Sequence, residues 1–338
     1  MKWKVRILRF TLVFSVVLVP MACDRFVGAV PTTRPAESHP NAGALPDGSI
    51  KIAPPYAIDP EIAYREGVPR GLQHGFDMDS EQSKIYPGVK RRYGRGGSVY
   101  VPAQYVPGTA APFIVVQDGL AYGGYVVPAL DNLIAEKKIP VVIAIFINSG
   151  GNDSRSEFGE RVLEYATISD RYVTFIETEV LPKVAADYNL KFTARPEGRA
   201  AMGFGQGGAA AFTMAWFRPD LYRRVLMYSG AFVKQRSNVT FAAPHGAWEY
   251  HENFIPNGAP KPLRVWMEAG ELDEGYAKPV ESLENYVTAN NRLAAALKAK
   301  GYDYRYVFAV GAGNIDGKVV QQTLPEALQW LWRGYLAQ

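Results

Sequence analysis

Cysteine is nearly absent from this chain. Among 338 residues there is one, Cys23, which excludes an internal disulfide framework and a cysteine-rich zinc module. Histidine is scarce too: the four are His39, His74, His245 and His251, too few for a histidine-rich centre. No apolar run reaches the roughly 20 residues that a bilayer-spanning helix needs. Net charge is also missing once the first residues are set aside. The formal charge is +4, and Lys2, Lys4, Arg6 and Arg9 supply all of it, because residues 1–22 contain no acid. The remainder is balanced, so the composition gives no support to a nucleic-acid partner. What is present is apolar material for a core: 48% of residues are hydrophobic and 21% charged, which excludes wholesale disorder.

The four early cations precede an apolar stretch over residues 10–19, then Pro20, Met21, Ala22 and Cys23. A basic start, a short apolar run and a small residue predict a secretory signal peptide over residues 1–22 and an exported chain, periplasmic or extracellular. Two processing routes stay open. Cys23 is placed for lipid attachment, the only membrane contact expected, although Pro20 stands where lipoproteins usually carry Leu; the other route is plain cleavage near Ala22 or Ala29. Residues 23–60, rich in Pro, Ala and Gly and without periodicity, read as an exposed tether. A single domain is expected over residues 61–338.

Within it, short apolar runs alternate with amphipathic segments. Strands are predicted at residues 75–78, 97–102, 112–117, 140–147, 199–203, 224–228, 263–267 and 302–308. Helices are predicted at 125–137, 169–188, 207–217, 283–299 and 325–335. The run PVVIAIFI (residues 140–147) is apolar throughout, as in a sheet covered on both faces. The alternation implies an α/β fold with one doubly wound, mostly parallel sheet and antiparallel strands at its N-terminal edge. Chemistry in such sheets lies at the carboxyl ends of the strands.

The most informative segment is AAMGFGQGGA, residues 200–209, a strand running through a glycine-rich turn into a small-residue helix. Gly203, Gly205 and Gly208 satisfy the dinucleotide spacing G-x-G-x-x-G, but the following strand ends in Tyr228, Ser229 and Gly230 without the acid that would hold a ribose. The alternative is a nucleophile elbow, G-x-S-x-G, flanked by Gly203 and Gly207. Its central position is Gly205, which has no side chain to attack a carbonyl. A glycine turn serving only close helix–sheet packing is compatible with that second reading.

In-order landmarks accompany the elbow. They include VYVPAQYVPG (99–108), FIVVQDG (113–119), RVLEYATISDRY (161–172), HGAWEYHENFIP (245–256), LRVWMEAGELD (263–273) and TLPEALQWLW (323–332). On these the chain resembles the esterase family of the α/β-hydrolase fold that includes enterochelin-esterase-like and feruloyl-esterase-like proteins. The resemblance implies that Gly205 stands at the nucleophile position and Asp273 at the acid, with Glu271 a weaker substitute. It places Asn314 at the histidine. It implies oxyanion donors near Gly119 or Leu120 and at Gln206, a loop shaped by Asp118, and Trp248 with Tyr250 packed over the pocket. All four histidines precede Asp273, whereas this fold uses the chain order nucleophile, acid, histidine.

The resemblance therefore implies an esterase-shaped protein with two triad positions changed, binding an ester, aromatic acid or glycan-type ligand. An active carboxylic ester hydrolase is the alternative; it would have to recruit Ser149, Ser154 or Ser229. A structural interaction module is the third reading. No cofactor is implied. His245 and His251 with Glu249 and Glu252 nearby raise a metal site, but no recognised ligand spacing supports one, and none is expected. Asn238-Val239-Thr240 is a glycosylation sequon only in a eukaryotic secretory setting. Ala166, where relatives often carry Asp, hints at wider change around the site.

Overall fold

The computed structural model describes residues 45–88, 92–151, 159–235 and 238–335. The expected signal peptide, Cys23, His39 and Ser154 lie outside them. Among the described residues no helix is long and apolar enough to cross a membrane.

Nine strands form one sheet: β1 (Ile50–Ile52), β2 (Leu72–Asp79), β3 (Gly94–Val101), β4 (Phe113–Gln117), β5 (Ile143–Ile147), β6 (Arg199–Phe204), β7 (Arg224–Tyr228), β8 (Arg264–Leu272) and β9 (Asp303–Gly313). Their spatial order is β1-β9-β8-β7-β6-β4-β5-β3-β2. All neighbours pair in parallel except β5 with β3 and β3 with β2. This is the doubly wound α/β sheet with antiparallel edge strands that the pattern predicts. The helices are α1 (Gly123–Ala135), α2 (Glu160–Tyr165), α3 (Arg171–Phe175), α4 (Leu181–Tyr188), α5 (Gln206–Phe217), α6 (Ile255–Asn257), α7 (Tyr286–Ala299) and α8 (Gly317–Trp332).

Every residue of β4, β5, β6 and β7 is buried, because helices cover both faces. Alternate side chains enter two cores. Val115, Ile145 and Val225 join α5 and α7 on one face; Val116, Ala144 and Leu226 join α1 and α8 on the other. Chain order reverses between β4 and β6, whose carboxyl ends therefore face each other across the crevice where such sheets place their ligands.

Several boundaries differ from the periodicity for local reasons. The expected helix at 169–188 is interrupted by a π turn at Ile176–Val180; Pro182, just after it, has no N–H to give the regular ladder. Helix α8 begins at Gly317, not residue 325, because Asp316 caps it by accepting from the Lys318 N–H at 2.8 Å. Pro325 sits inside the helix.

The tether expectation fails at its C-terminal end. Ile50–Ile52 pair with Val307–Ala309 of β9, and the Tyr56 hydroxyl donates to the Val310 carbonyl at 2.5 Å. The Ala57 N–H donates to Gln322 Oε1 at 2.8 Å, and Asn132 Nδ2 donates to the carbonyls of Glu61 and Ala63. Three residues of strand among prolines carry no readable period, which is why the composition looked like free chain. Tyr56 packs beside Ala309, Ala312 and Val319. Replacing Tyr56 by Ala is expected to lower stability by roughly 1–3 kcal/mol, read from urea unfolding. A free tether would leave the midpoint unchanged.

Candidate active site

Strand β6 turns into α5 at Gly205, whose φ of 55° and ψ of −119° are an elbow conformation open to glycine and strained for other residues. The turn is closed by short bonds: the Gly205 N–H donates to the Tyr228 carbonyl at 2.9 Å, and its carbonyl accepts from Ala231 at 3.0 Å. Close approach also dictates the flanking glycines. A Cβ on Gly203 would lie 2.2 Å from the Gly207 carbonyl oxygen, and one on Gly207 about 3.1 Å from Asp118 and Gln117. At Gly205 itself a Cβ would meet only Ile315 Cδ1, at 3.4 Å. The elbow is built in full, with room at its apex for a side chain that the sequence does not supply.

Above it lies a cleft of about 490 Å³. Asp118, at the end of β4 with φ 59°, lines one wall. Both its carboxylate oxygens accept from the Arg161 guanidinium, which also donates to Gln206 Oε1 at 2.9 Å. Gln206 Nε2 passes on to Gln235 Oε1 at 3.0 Å. Asp118 is thus committed to an ion pair and is not a free general base. Tyr122 stacks on Phe204 beside the elbow, with centroids 3.5 Å apart. Gln206 is the first residue of α5, so its N–H is among the helix's orphan donors. Gly119 is buried and must be glycine, because a Cβ would strike Phe146 at 2.8 Å. The Leu120 side chain is exposed and does not line the cleft.

The acid position is different in kind. Asp273 is fully buried after β8, and its Oδ1 accepts from the Glu274 N–H at 2.7 Å. Oδ2 has no hydrogen-bond partner. Burial pushes the Asp273 carboxyl up to about 6, opposed by the Glu274 amide and the Ser229 hydroxyl. Ser229 is fully buried, and its Oγ accepts from the Ile315 N–H at 3.0 Å. Glu271, the weaker substitute, accepts from the Gly311 N–H at 2.9 Å and so braces β8 against β9.

Asn314 does line the cleft, but it is exposed and its Nδ2 donates to Glu274 Oε2 at 3.3 Å, away from Asp273. The side chain that approaches Gly205 belongs to the next residue, Ile315, held at φ 50°. Neither can carry a proton. Ser149 sits 3.4 Å from the Arg161 guanidinium. Trp248 does not belong to the site: it is fully buried, edge-on to His251 at 4.5 Å and under the Arg292 guanidinium at 5.1 Å. Tyr250 is likewise core, its hydroxyl 2.8 Å from Thr213. Packing over the pocket was expected of both, but both rings are buried in the core.

Arg161, Ile315, Glu274 and Gln235 were not singled out from sequence. Only Arg161, inside the landmark RVLEYATISDRY, and Glu274, next to Asp273, carried a signal that could have found them.

A strand-to-helix elbow facing the β4 loop, with an acid after β8, defines the α/β-hydrolase class. Residues 93–331 match the family model described as "Putative esterase", and the chain belongs to that family. No functionally curated protein matches the sequence. Among solved structures, the ferric enterobactin esterase of Salmonella typhimurium is 21% identical with a TM-score of 0.57, over 77% of this chain and 58% of that one. A ferulic acid esterase of Anaeromyces mucronatus, solved with ferulic acid, is 14% identical with a TM-score of 0.60, over 82% and 96%. An enterobactin esterase of Shigella flexneri, solved with enterobactin, gives 19% and 0.56, over 78% and 60%. The chain thus spans about three-fifths of the enterobactin esterases, and at these identities the likeness is one of fold.

Two predictions follow from the elbow and the acid. Gly205→Ser should cost roughly 1–3 kcal/mol in urea unfolding, because a side chain enters a strained backbone conformation. For Asp273, the folded carboxyl titrates near 6 against 3.8 for the ordinary group, so the native state binds the extra proton between those values. Stability must then fall as pH rises from 4 to 6. Asp273→Asn should lessen that slope, the remainder coming from Glu268, whose buried carboxyl is also pushed up, and stabilise the protein at pH 7 by roughly 1–3 kcal/mol, measured by denaturation at each pH.

Proposed function

We propose that this chain is an exported esterase-family protein that has given up ester hydrolysis and uses the retained cleft to bind an ester, aromatic acid or glycan-type ligand. The observation that carries the reading is the complete elbow around a glycine. Hydrolysis by this fold needs a hydroxyl at the apex and a base that can take and return its proton. Gly205 supplies no hydroxyl, and Asn314 and Ile315 cannot act as the base. The unpartnered Oδ2 of buried Asp273 supports the same reading, since it is an acceptor without the imidazole N–H that such an acid normally receives. Tyr122, Phe204 and Tyr286 offer aromatic walls, and Arg161, Glu274, Gln206 and Asn314 offer polar groups for a hydroxylated ligand. Export rests on the basic and apolar start of the sequence. Lipid attachment at Cys23 is the variant of that proposal which would place the protein on a membrane surface.

The alternative, a working hydrolase with a recruited serine, finds little support. Ser229 is fully buried, Ser149 lies against a guanidinium, and Ser154 is outside the described residues.

Purified protein should hydrolyse p-nitrophenyl and feruloyl esters no faster than buffer. Turnover well above buffer that survives Asp273→Ala would overturn the proposal, because another nucleophile would be at work. Gly205→Ser with Asn314→His should raise ester turnover at least roughly tenfold over Gly205→Ser alone, given that a positioned base contributes about 10²–10⁴. A parallel Gly205→Ser/Ile315→His variant decides which of the two residues holds the base position.

A further inference from the structure

We propose that His245, Glu249 and Glu252 form a binding site for a transition-metal dication of the Zn²⁺ class, separate from the cleft. The spacing i, i+4, i+7 brings the three side chains to one face of the chain as it coils from the turn Gly246–Trp248 into the turn Tyr250–Phe254. One donor atom from each lies within 4.8 Å of the others. His245 Nδ1 is 3.5 Å from a Glu249 oxygen and 2.5 Å from Glu252 Oε2. Ligands about 2.0–2.2 Å from a tetrahedral ion stand roughly 3.3–3.6 Å apart, so the His245–Glu249 pair already has that separation. The shorter His245–Glu252 contact is a hydrogen bond. Metal binding replaces its bridging proton, which is released to solvent, and the two atoms move about 1 Å apart.

Glu249 gives the site its built character. Its carboxylate is only 1% exposed, and it is oriented by the His245 N–H at 3.0 Å and the Asn253 amide. These are neutral donors, and among the described residues no lysine or arginine pairs with it. A buried carboxylate without a cation is costly, and a dication at this point removes that cost. One imidazole with two carboxylates favours zinc-like ions over calcium or magnesium, which prefer oxygen alone. His245 and Glu252 are partly exposed, giving the ion a route in and water its remaining coordination position. His251 takes no part: it is buried, its Nε2 lies 3.2 Å from the Phe232 carbonyl, and its ring packs on Trp248. The bound ion would clamp the turn at Gly246 to the helical turn that carries Glu252.

The test is calorimetric titration of ZnCl₂ into the untagged full chain after chelator treatment. One ion should bind to the wild type, with affinity at least tenfold weaker in His245→Ala and in Glu252→Gln. Both positions are partly exposed, so the metal-free variants should melt with the wild type. Cobalt(II) should give visible d–d bands in the wild type that both variants lose. No binding to the wild type, undiminished binding in the double variant, or equal binding of Ca²⁺ would each overturn the proposal.

Discussion

The close approach of Gly203 to Gly207 is the contact on which the rest of the site depends. With no side chain between them, β6 can reverse into α5 within a single residue, and backbone atoms come within van der Waals range. That reversal starts α5 at Gln206, leaves Ile315 Cδ1 as the atom a side chain at Gly205 would meet, and sets the floor of the cleft. Gly203 is required by sterics whatever stands at the apex, and Gly207 leaves only a tight fit for a side chain. The elbow therefore stands as a folding element with glycine at its apex. Glycine at the apex even relaxes it, because the conformation there is one that a side chain resists.

Electrostatics around the cleft fall into two kinds. The Arg161–Asp118 pair is partly open to solvent and ties α2 to the end of β4, with Gln206 and Gln235 extending the chain of bonds along the cleft wall. Farther in, Arg95 and Glu164 form a pair that is almost fully buried; Glu164 also accepts from the Gly150 N–H at 3.0 Å and from the Tyr93 hydroxyl. Multiple bonds of this kind are what make a buried pair tolerable. Asp273 has no such network. Its partners are the Glu274 amide and the Ser229 hydroxyl, and Oδ2 is left without a donor.

The fold was largely legible because the central strands are covered on both faces and so read as unbroken apolar runs, as in PVVIAIFI. The elbow was legible because close packing forces glycine at residue 203 and favours it at residue 207. Side-chain direction was not. Asn314 and Ile315 are neighbours, and nothing in a one-dimensional string says which of them turns toward Gly205; that depends on the left-handed backbone at Ile315. Trp248 and Tyr250 are core rather than cover for the pocket, and which way a loop turns its rings leaves no pattern in the sequence. The Asp118–Arg161 pair joins residues far apart in sequence, and the pairing of β1 with β9 spans most of the chain, so neither leaves a local pattern. His245, Glu249 and Glu252 were near enough to notice, but only the coiling of the segment separates them from His251.

The three residues of β1 have an effect out of proportion to their length. Without them β9 would be an eleven-residue terminal strand with a free row of N–H and C=O groups. Such an edge is a template for pairing with another chain, and proteins guard it with short strands and prolines. Here Ile50–Ile52 occupy the middle of that edge, at Val307–Ala309, and Pro54 and Pro55 follow at once, so the added strand stays short. A segment that looked like mere spacing thus covers the middle of an edge that would otherwise be open to another strand.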